Sequence, residues 1–367
     1  MSERQHQSKP GRILVFVPNW VGDAVMATPA LKAIRSRFPN ARITHLMRSY
    51  VADVLAGIDF ADARCLWPPD GDARNMLALI RHLRRDRFDL AILLTNSFRS
   101  ALIARLSGAK RRVGYARDAR GWLLTDRLTP ERKNGAFVPV PALDYYNNLA
   151  RSAGCEAIDE RLTLATTAGD EAAIDERLGP HDPTRPLVIL NPGANYGSAK
   201  CWPAEKYAAL SDALVAKYNA RVVASVGPKE RPIADRLAAA TRRPLEIFHD
   251  PPLGLGPLRS LIRRCDLLIT NDTGPRHFAA AFDRPVITIY GSSDPAWTIT
   301  RHPKERNVML DLDCRPCMKR ICPLKHHHCM TQLEPRQVLL ASDEFLTSWL
   351  PENTDPVKRK TRPLMNP

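Results

Sequence analysis

Short apolar runs rich in β-branched residues recur along the chain, each followed by a stretch whose apolar positions return every three or four residues. The run Ile13 to Val17 precedes GDAVMATPALKAIRSRF, and RITHLM at 42–47 comes next. Side chains repeat every two residues on a strand and about every 3.6 on a helix, so this alternation predicts strand, helix, strand. DLAILL at 89–94 reads as a further strand, between the basic helical stretch NMLALIRHLRRDRF and the helical FRSALIARLSG. The amino-terminal half is expected to be a βα-repeating parallel sheet.

Between about Thr163 and Pro186 the chain turns polar and passes through GPHDPTRP, whose prolines lack the amide hydrogen that regular structure uses. The strand pattern then resumes with LVILN (187–191), RVVASV (221–226), DLLIT (266–270) and PVITIY (285–290). The expected layout is a lobe over 12–165, a linker over 166–186, a second lobe over 187–350 and a proline-interrupted basic tail over 351–367. The predicted class is α/β, with two Rossmann-like parallel-sheet lobes facing a cleft in which ligands lie beyond the carboxyl ends of the strands.

A composition of 44% hydrophobic and 25% charged residues is that of an ordinary globular protein and argues against disorder or a fibrous architecture. The first eleven residues are polar and the run 13–17 is too short for a signal sequence or a membrane span, so a cytoplasmic location is expected. The net charge of +15 favours a polyanionic partner: nucleic acid, lipid headgroups or a phosphorylated substrate. Without an aromatic-interleaved basic motif or a heptad-linked basic helix, nucleic acid is not expected, and an anionic substrate at a membrane surface fits better.

Four segments could carry chemistry. In PNWVGDAVMATPAL, Gly22 permits a tight turn and Asp23 stands at the mouth of the cleft, as a reactive carboxylate or as a plain N-cap. That loop lacks GxGxxG, which removes most support for dinucleotide-dependent hydride transfer. In NPGANYGSAKCWPAEKYAAL, Lys200 sits in a glycine-containing loop ahead of a helix with Pro203 in its first turn, beside a phosphate or simply solvated. In DLLITNDTGPRHFAAAFDRPVITIYGSSDP, a strand stops at Asn271, and Asp272, Thr273 and Gly274 open a helix whose amides and dipole suit a diphosphate. Arg276 and His277 follow within reach of a phosphate or sugar; the alternative is a capping Asp272 and a core-facing His277. Finally, Cys314, Cys317, Cys322 and Cys329 form C-x2-C-x4-C-x6-C, a candidate set for tetrahedral zinc or another thiophilic metal, or reduced thiols in a surface loop.

Taken together, these segments resemble the ADP-heptose:lipopolysaccharide heptosyltransferases, family 9 of the glycosyltransferases, from about Arg12 to Leu346. NSFRSAL (96–102) and RGWLLTDR (120–127) extend the resemblance, and NSFRSAL with PGANYGSAKCWP is most similar to members that add the second inner-core heptose. The resemblance implies a GT-B fold, an ADP-heptose donor and an anionic lipid A inner-core acceptor, met peripherally at the cytoplasmic face of the inner membrane. It implies inverting transfer with no required cofactor, and any zinc at the cysteine loop would be structural.

The same resemblance makes Asp23 the general base and Lys200 the group holding the leaving diphosphate. Asp272, Thr273, Gly274 and His277 match the nucleotide-sugar motif, and Glu230 in VGPKERPIAD matches the ribose-binding position. Arg276 stands where relatives are often uncharged. Arg99 and Arg120 are expected to grip acceptor carboxylates or phosphates bidentately. Two alternatives are a family 9 enzyme using another inner-core hydroxyl and a zinc-stabilised polyanion-binding protein without catalysis. Retention of Asp23, Lys200 and the 272–277 segment together argues against the second.

Overall fold

The computed structural model describes residues 10–69, 72–180 and 182–350. The basic tail expected at 351–367 lies outside the described residues.

The first sheet contains β1 (Arg12–Phe16), β2 (Arg42–Met47), β3 (Ala63–Leu66), β4 (Leu90–Leu93), β5 (Arg111–Tyr115) and β6 (Asp126–Leu128), in the order β3-β2-β1-β4-β5-β6. A small antiparallel hairpin, β7 (Arg132–Lys133) and β8 (Ala136–Phe137), follows it. The second sheet contains β9 (Leu187–Asn191), β10 (Arg221–Ser225), β11 (Glu246–Phe248), β12 (Leu267–Asn271), β13 (Val286–Ile289) and β14 (Glu305–Val308), ordered β11-β10-β9-β12-β13-β14. All pairs in both six-stranded sheets are parallel, with Ile13 opposite Ile43 and Leu268 opposite Ile189 as examples of the register. The two sheets share one winding, which reverses between β1 and β4 and between β9 and β12. Loops leaving the sheet on either side of such a reversal diverge and open a crevice beyond the strand ends.

Helices α1 (Val21–Met26), α2 (Thr28–Arg37), α3 (Ser49–Val54), α4 (Ala73–Arg85), α5 (Phe98–Leu106) and α6 (Ala142–Ser152) accompany the first sheet. With the second are α7 (Ala168–Leu178), α8 (Ala204–Tyr218), α9 (Arg231–Ala240), α10 (Leu255–Arg264), α11 (Gly274–Ala281), α12 (His328–Thr331) and α13 (Pro335–Leu346). Among these elements no helix is long and apolar enough to cross a membrane.

Three features depart from the pattern-based expectation. The stretch after β1 is two helices, broken at Ala27, because Pro29 in the first turn of α2 has no amide hydrogen to continue the ladder. The segment expected as a linker carries α7, opened by a Thr167–Asp170 capping box and packed on α10. Strands β3, β5, β6, β11 and β14 are short and each is broken by one or two charged residues (ARCL, RRVGY, DRL, EIF, ERNV), so their hydrophobic signal is weak.

One apolar core runs through both lobes, joining Ile13, Val25 and Val51 to Ile262, Phe278 and Val286. The buried Arg259 of α10 ties the lobes from inside it, donating to the carbonyls of Val54 and Ala56 and to the Asp170 carboxylate. The lobes also meet where α1 packs on α11, with Gly22 against His277 and Gly274 against Val21.

Candidate active site

Asp23 lies in the first turn of α1, directly beyond the carboxyl end of β1. It is not the cap, a position held by Trp20 with no side-chain capping bond. The carboxylate faces the cleft and is only partly exposed. Burial pushes its pKa up to about 6, against a hydrogen bond from Tyr146 and the positive charge of Lys200 on the other lobe. A carboxylate poised near neutral pH can accept a proton and still be ionised at the start of a reaction.

The facing wall is built from the two loops that flank the β9/β12 reversal. Asn271 staples them: its amide donates to the carbonyls of Pro192 (2.6 Å) and Gly193 (3.3 Å), and its oxygen accepts from the Trp202 amide and the Tyr207 hydroxyl. Lys200 ends a short 3-10 turn, Ser198–Lys200, and Pro203 is the residue before α8, so the proline caps the helix and does not lie within it. The Lys200 ammonium meets the Asp272 carboxylate at 2.5 Å and sits 5.0 Å from the centre of the Tyr196 ring.

Asp272 does not cap α11; Thr273 holds that position. Asp272 is buried and accepts from Lys200, from Arg276 (3.0 Å) and from Ser293 (2.6 Å). Burial alone would raise its pKa, but Arg276, Lys200 and Ser293 outweigh it and hold the carboxyl well below the usual range. Asp272 is thus a fixed anion that aims Lys200 across the mouth of α11. Arg276 is committed internally, to Asp272, to the Thr298 carbonyl (2.6 Å) and to Glu305. The amides of Gly274, Arg276 and His277 crowd the helix start, Pro275 contributing none, and create the partial positive charge an anion seeks.

His277 is buried, and burial together with Arg276 lowers its pKa well below the ordinary value, so the ring is neutral. Its Nδ1 has no hydrogen-bond partner among the described residues. A buried ring nitrogen left open at a cleft is suited to a ligand hydroxyl. The ring abuts Gly22 of the other lobe: a Cβ there would lie 2.8 Å from His277 Cδ2, so only glycine lets Asp23 and His277 come together. Glu230 closes the wall at the end of β10, accepting the Gly227 amide at 2.7 Å. It presses on Gly193 so closely that a Cβ would stand 1.9 Å from its carboxylate.

Asp23, Lys200, Asp272, Gly274 and His277 are thus brought together where the two lobes meet, with Thr273 at the cap of α11 and Glu230 packed against Gly193. No motif marks Tyr146, which reaches Asp23 from α6, and Ser293, which holds Asp272, stands out only as part of the YGSSDP stretch. The two arginines divide. Arg99 is exposed near the start of α5 on the first lobe. Arg120 is fully buried, and its guanidinium donates to the carbonyls of Thr95 (2.6 Å) and Tyr115 (3.0 Å), to Ser100 Oγ and to Asn96 Oδ1. Burial lowers its pKa to about 10. The expectation that Arg120 grips the acceptor is corrected: its fork is spent on holding the 95–100 loop. Arg120→Ala should strand these buried carbonyls and cost on the order of 3 kcal/mol, read as a lower melting temperature. Arg99→Ala should leave the melting temperature alone and raise the acceptor KM by about tenfold. Parental acceptor kinetics for Arg99→Ala would remove that residue from the acceptor site.

Residues 76–328 match the family described as Glycosyltransferase family 9 (heptosyltransferase). Lipopolysaccharide heptosyltransferase 2 of Salmonella typhimurium is 28% identical over 341 residues, covering 89% of this chain and 96% of the relative. The solved structure of Escherichia coli ADP-heptose lps heptosyltransferase II superposes with a TM-score of 0.75 at 26% identity, over 92% of this chain and 99% of the other. The Escherichia coli heptosyltransferase WaaC, solved with ADP-2-deoxy-2-fluoro heptose, shares the fold at a TM-score of 0.67 and 17% identity, over 91% and 99% of the two chains.

Proposed function

The chain belongs to glycosyltransferase family 9, and on that premise we propose that it transfers heptose from ADP-heptose to the first heptose of the lipopolysaccharide inner core, inverting the anomeric centre. One observation carries the mechanism: a carboxylate with a pKa near 6 faces a lysine and a helix amino terminus across a single cleft. Asp23 takes the proton of the acceptor hydroxyl as its oxygen attacks the anomeric carbon. The bond from that carbon to the diphosphate breaks on the opposite face, and the electron pair leaves with ADP. Lys200 and the amides of α11 receive the developing charge, preset by Asp272 so that little reorganisation is needed. His277 Nδ1 is assigned to a hydroxyl of the donor and Glu230 to the ribose. No cofactor enters this step.

The choice of acceptor is supported by the names of the relatives, Salmonella typhimurium and Campylobacter jejuni heptosyltransferase 2 among them. An acceptor anchored by lipid A obliges the enzyme to work at a membrane, here placed at the cytoplasmic face. The +15 charge favours an anionic surface, and Phe98 and Trp122, both exposed with ring centres 6.2 Å apart beside Arg99, supply an interfacial patch.

The test is to incubate the protein with ADP-heptose and inner-core acceptors carrying either no heptose or one heptose, and to identify products by mass spectrometry. Addition to the one-heptose acceptor alone is expected. Addition to the heptose-free acceptor alone would overturn the acceptor assignment.

A further inference from the structure

We propose that Cys314, Cys317, Cys322 and Cys329 bind one thiophilic divalent ion, zinc or ferrous iron, and that this ion clasps the loop carrying Lys200. The chain from 309 to 327, between β14 and α12, has no helix or strand. A segment of that length without regular structure is unusual in a compact lobe unless something holds it. It buries little core of its own, since Met318, Ile321 and Leu324 are exposed.

All four cysteines nevertheless line one small cavity of about 20 Å³, together with Ala199, Arg315 and His327. None of them is in a disulfide. That volume suits a single water or ion, and a wall of sulfur with few oxygen donors selects zinc or iron over magnesium or calcium. As the side chains stand, no three ligating groups among the described residues meet at bonding geometry. Rotation about χ1 moves each sulfur between staggered positions, and inward rotation is the change that binding requires. Each ligating thiol surrenders its proton, so uptake releases protons and weakens at low pH.

The cavity also abuts the donor wall. The Arg320 carbonyl accepts the Ala199 amide at 3.0 Å, and the Met318 carbonyl accepts the Tyr196 hydroxyl at 3.2 Å. On its other side the Met318 amide donates to the Ser292 carbonyl at 2.8 Å, and Arg315 donates to the Gly291 carbonyl at 2.5 Å. The cysteine loop therefore bridges the Lys200 turn and the end of β13, where Ser293 holds Asp272. An ion binding the four sulfurs fixes both walls without touching the donor; this second half rests on the donor assignment above.

The test uses the full chain, purified anaerobically under reducing conditions, incubated with Zn²⁺ or Fe²⁺ alone and dialysed. Elemental analysis is expected to find about one ion per chain in at least one arm, the better-retained metal identifying the ion, with Co²⁺ giving the bands of a tetrahedral thiolate site. Cys317→Ser and Cys322→Ser should lose the ion and Cys65→Ser should keep it. Should either variant fail to fold, a mercurial added to the parent protein must release metal in step with thiol loss. Negligible metal in both arms, or full retention by both loop variants, overturns the site. Release of the ion should raise amide hydrogen exchange at 195–200 and weaken ADP binding, each by about tenfold. Unchanged exchange and ADP affinity after release overturn the clasp. Failure of the metal-loaded protein to bind ADP would instead overturn the donor assignment and leave the metal count standing.

Discussion

Asp23→Asn is expected to reduce turnover by about 10²–10⁴ while ADP binding is kept, because the amide preserves size and hydrogen bonding but cannot take a proton. The same variant should be more stable than the parent at neutral pH. The folded-state pKa of Asp23 is raised from 3.8 to about 6, so the native protein binds this proton more tightly than the unfolded chain does. Ionised Asp23 therefore costs stability above pH 6, and that cost fades as pH falls through 6 toward 4. Two pKa units correspond to at most about 3 kcal/mol, and partial exposure reduces this to roughly 1–2 kcal/mol. Turnover and melting temperature should thus move in opposite directions, and the gain in melting temperature should shrink at pH 4–5. In the parent enzyme, kcat/KM should fall below pH 6 in proportion to the fraction of Asp23 that is protonated. A capping or merely structural Asp23 predicts a less stable, fully active variant and no such pH limb.

Lys200→Ala is expected to lower kcat by about 10²–10³ and to weaken ADP binding by about tenfold, through loss of a charge-assisted contact to the leaving diphosphate. The fold should survive, because Asp272 keeps Arg276 at 3.0 Å and Ser293 at 2.6 Å when the ammonium is gone. Lys200→Arg should rescue poorly. The ammonium sits in a slot set by Asp272 and Tyr196, which a planar five-donor fork does not fit. Circular dichroism of the variant beside its kinetics separates loss of chemistry from loss of fold; parental ADP affinity and parental turnover together would exclude Lys200 from the site.

Much of this arrangement is visible in the chain itself, for a physical reason. Central strands buried on both faces, such as LVILN and DLLIT, need continuous apolar runs, and the loops after them need the small and polar residues that stand out as NPGANYG and NDTG. Outer strands such as ERNV and DRL are held by pairing with a neighbour, so their sequences carry no such mark. The role of an arginine is harder still to read. Arg99 and Arg120 sit in equally suggestive motifs, yet one is solvent-facing and the other is enclosed by backbone carbonyls. That distinction depends on how the chain turns at Thr95 and Tyr115. Tyr146 is hidden for a like reason, since it reaches Asp23 from a helix more than a hundred residues away in sequence.

The most direct measurement is the mass of a one-heptose inner-core acceptor after incubation with ADP-heptose and either the parent protein or Asp23→Asn, both first shown by calorimetry to bind ADP. With the parent protein the acceptor should gain one heptosyl unit as ADP-heptose releases one ADP; with the variant the acceptor should remain unchanged over the same interval. An acceptor left unmodified by the ADP-binding parent, or extended equally by the variant, would contradict heptosyl transfer by Asp23 across this cleft.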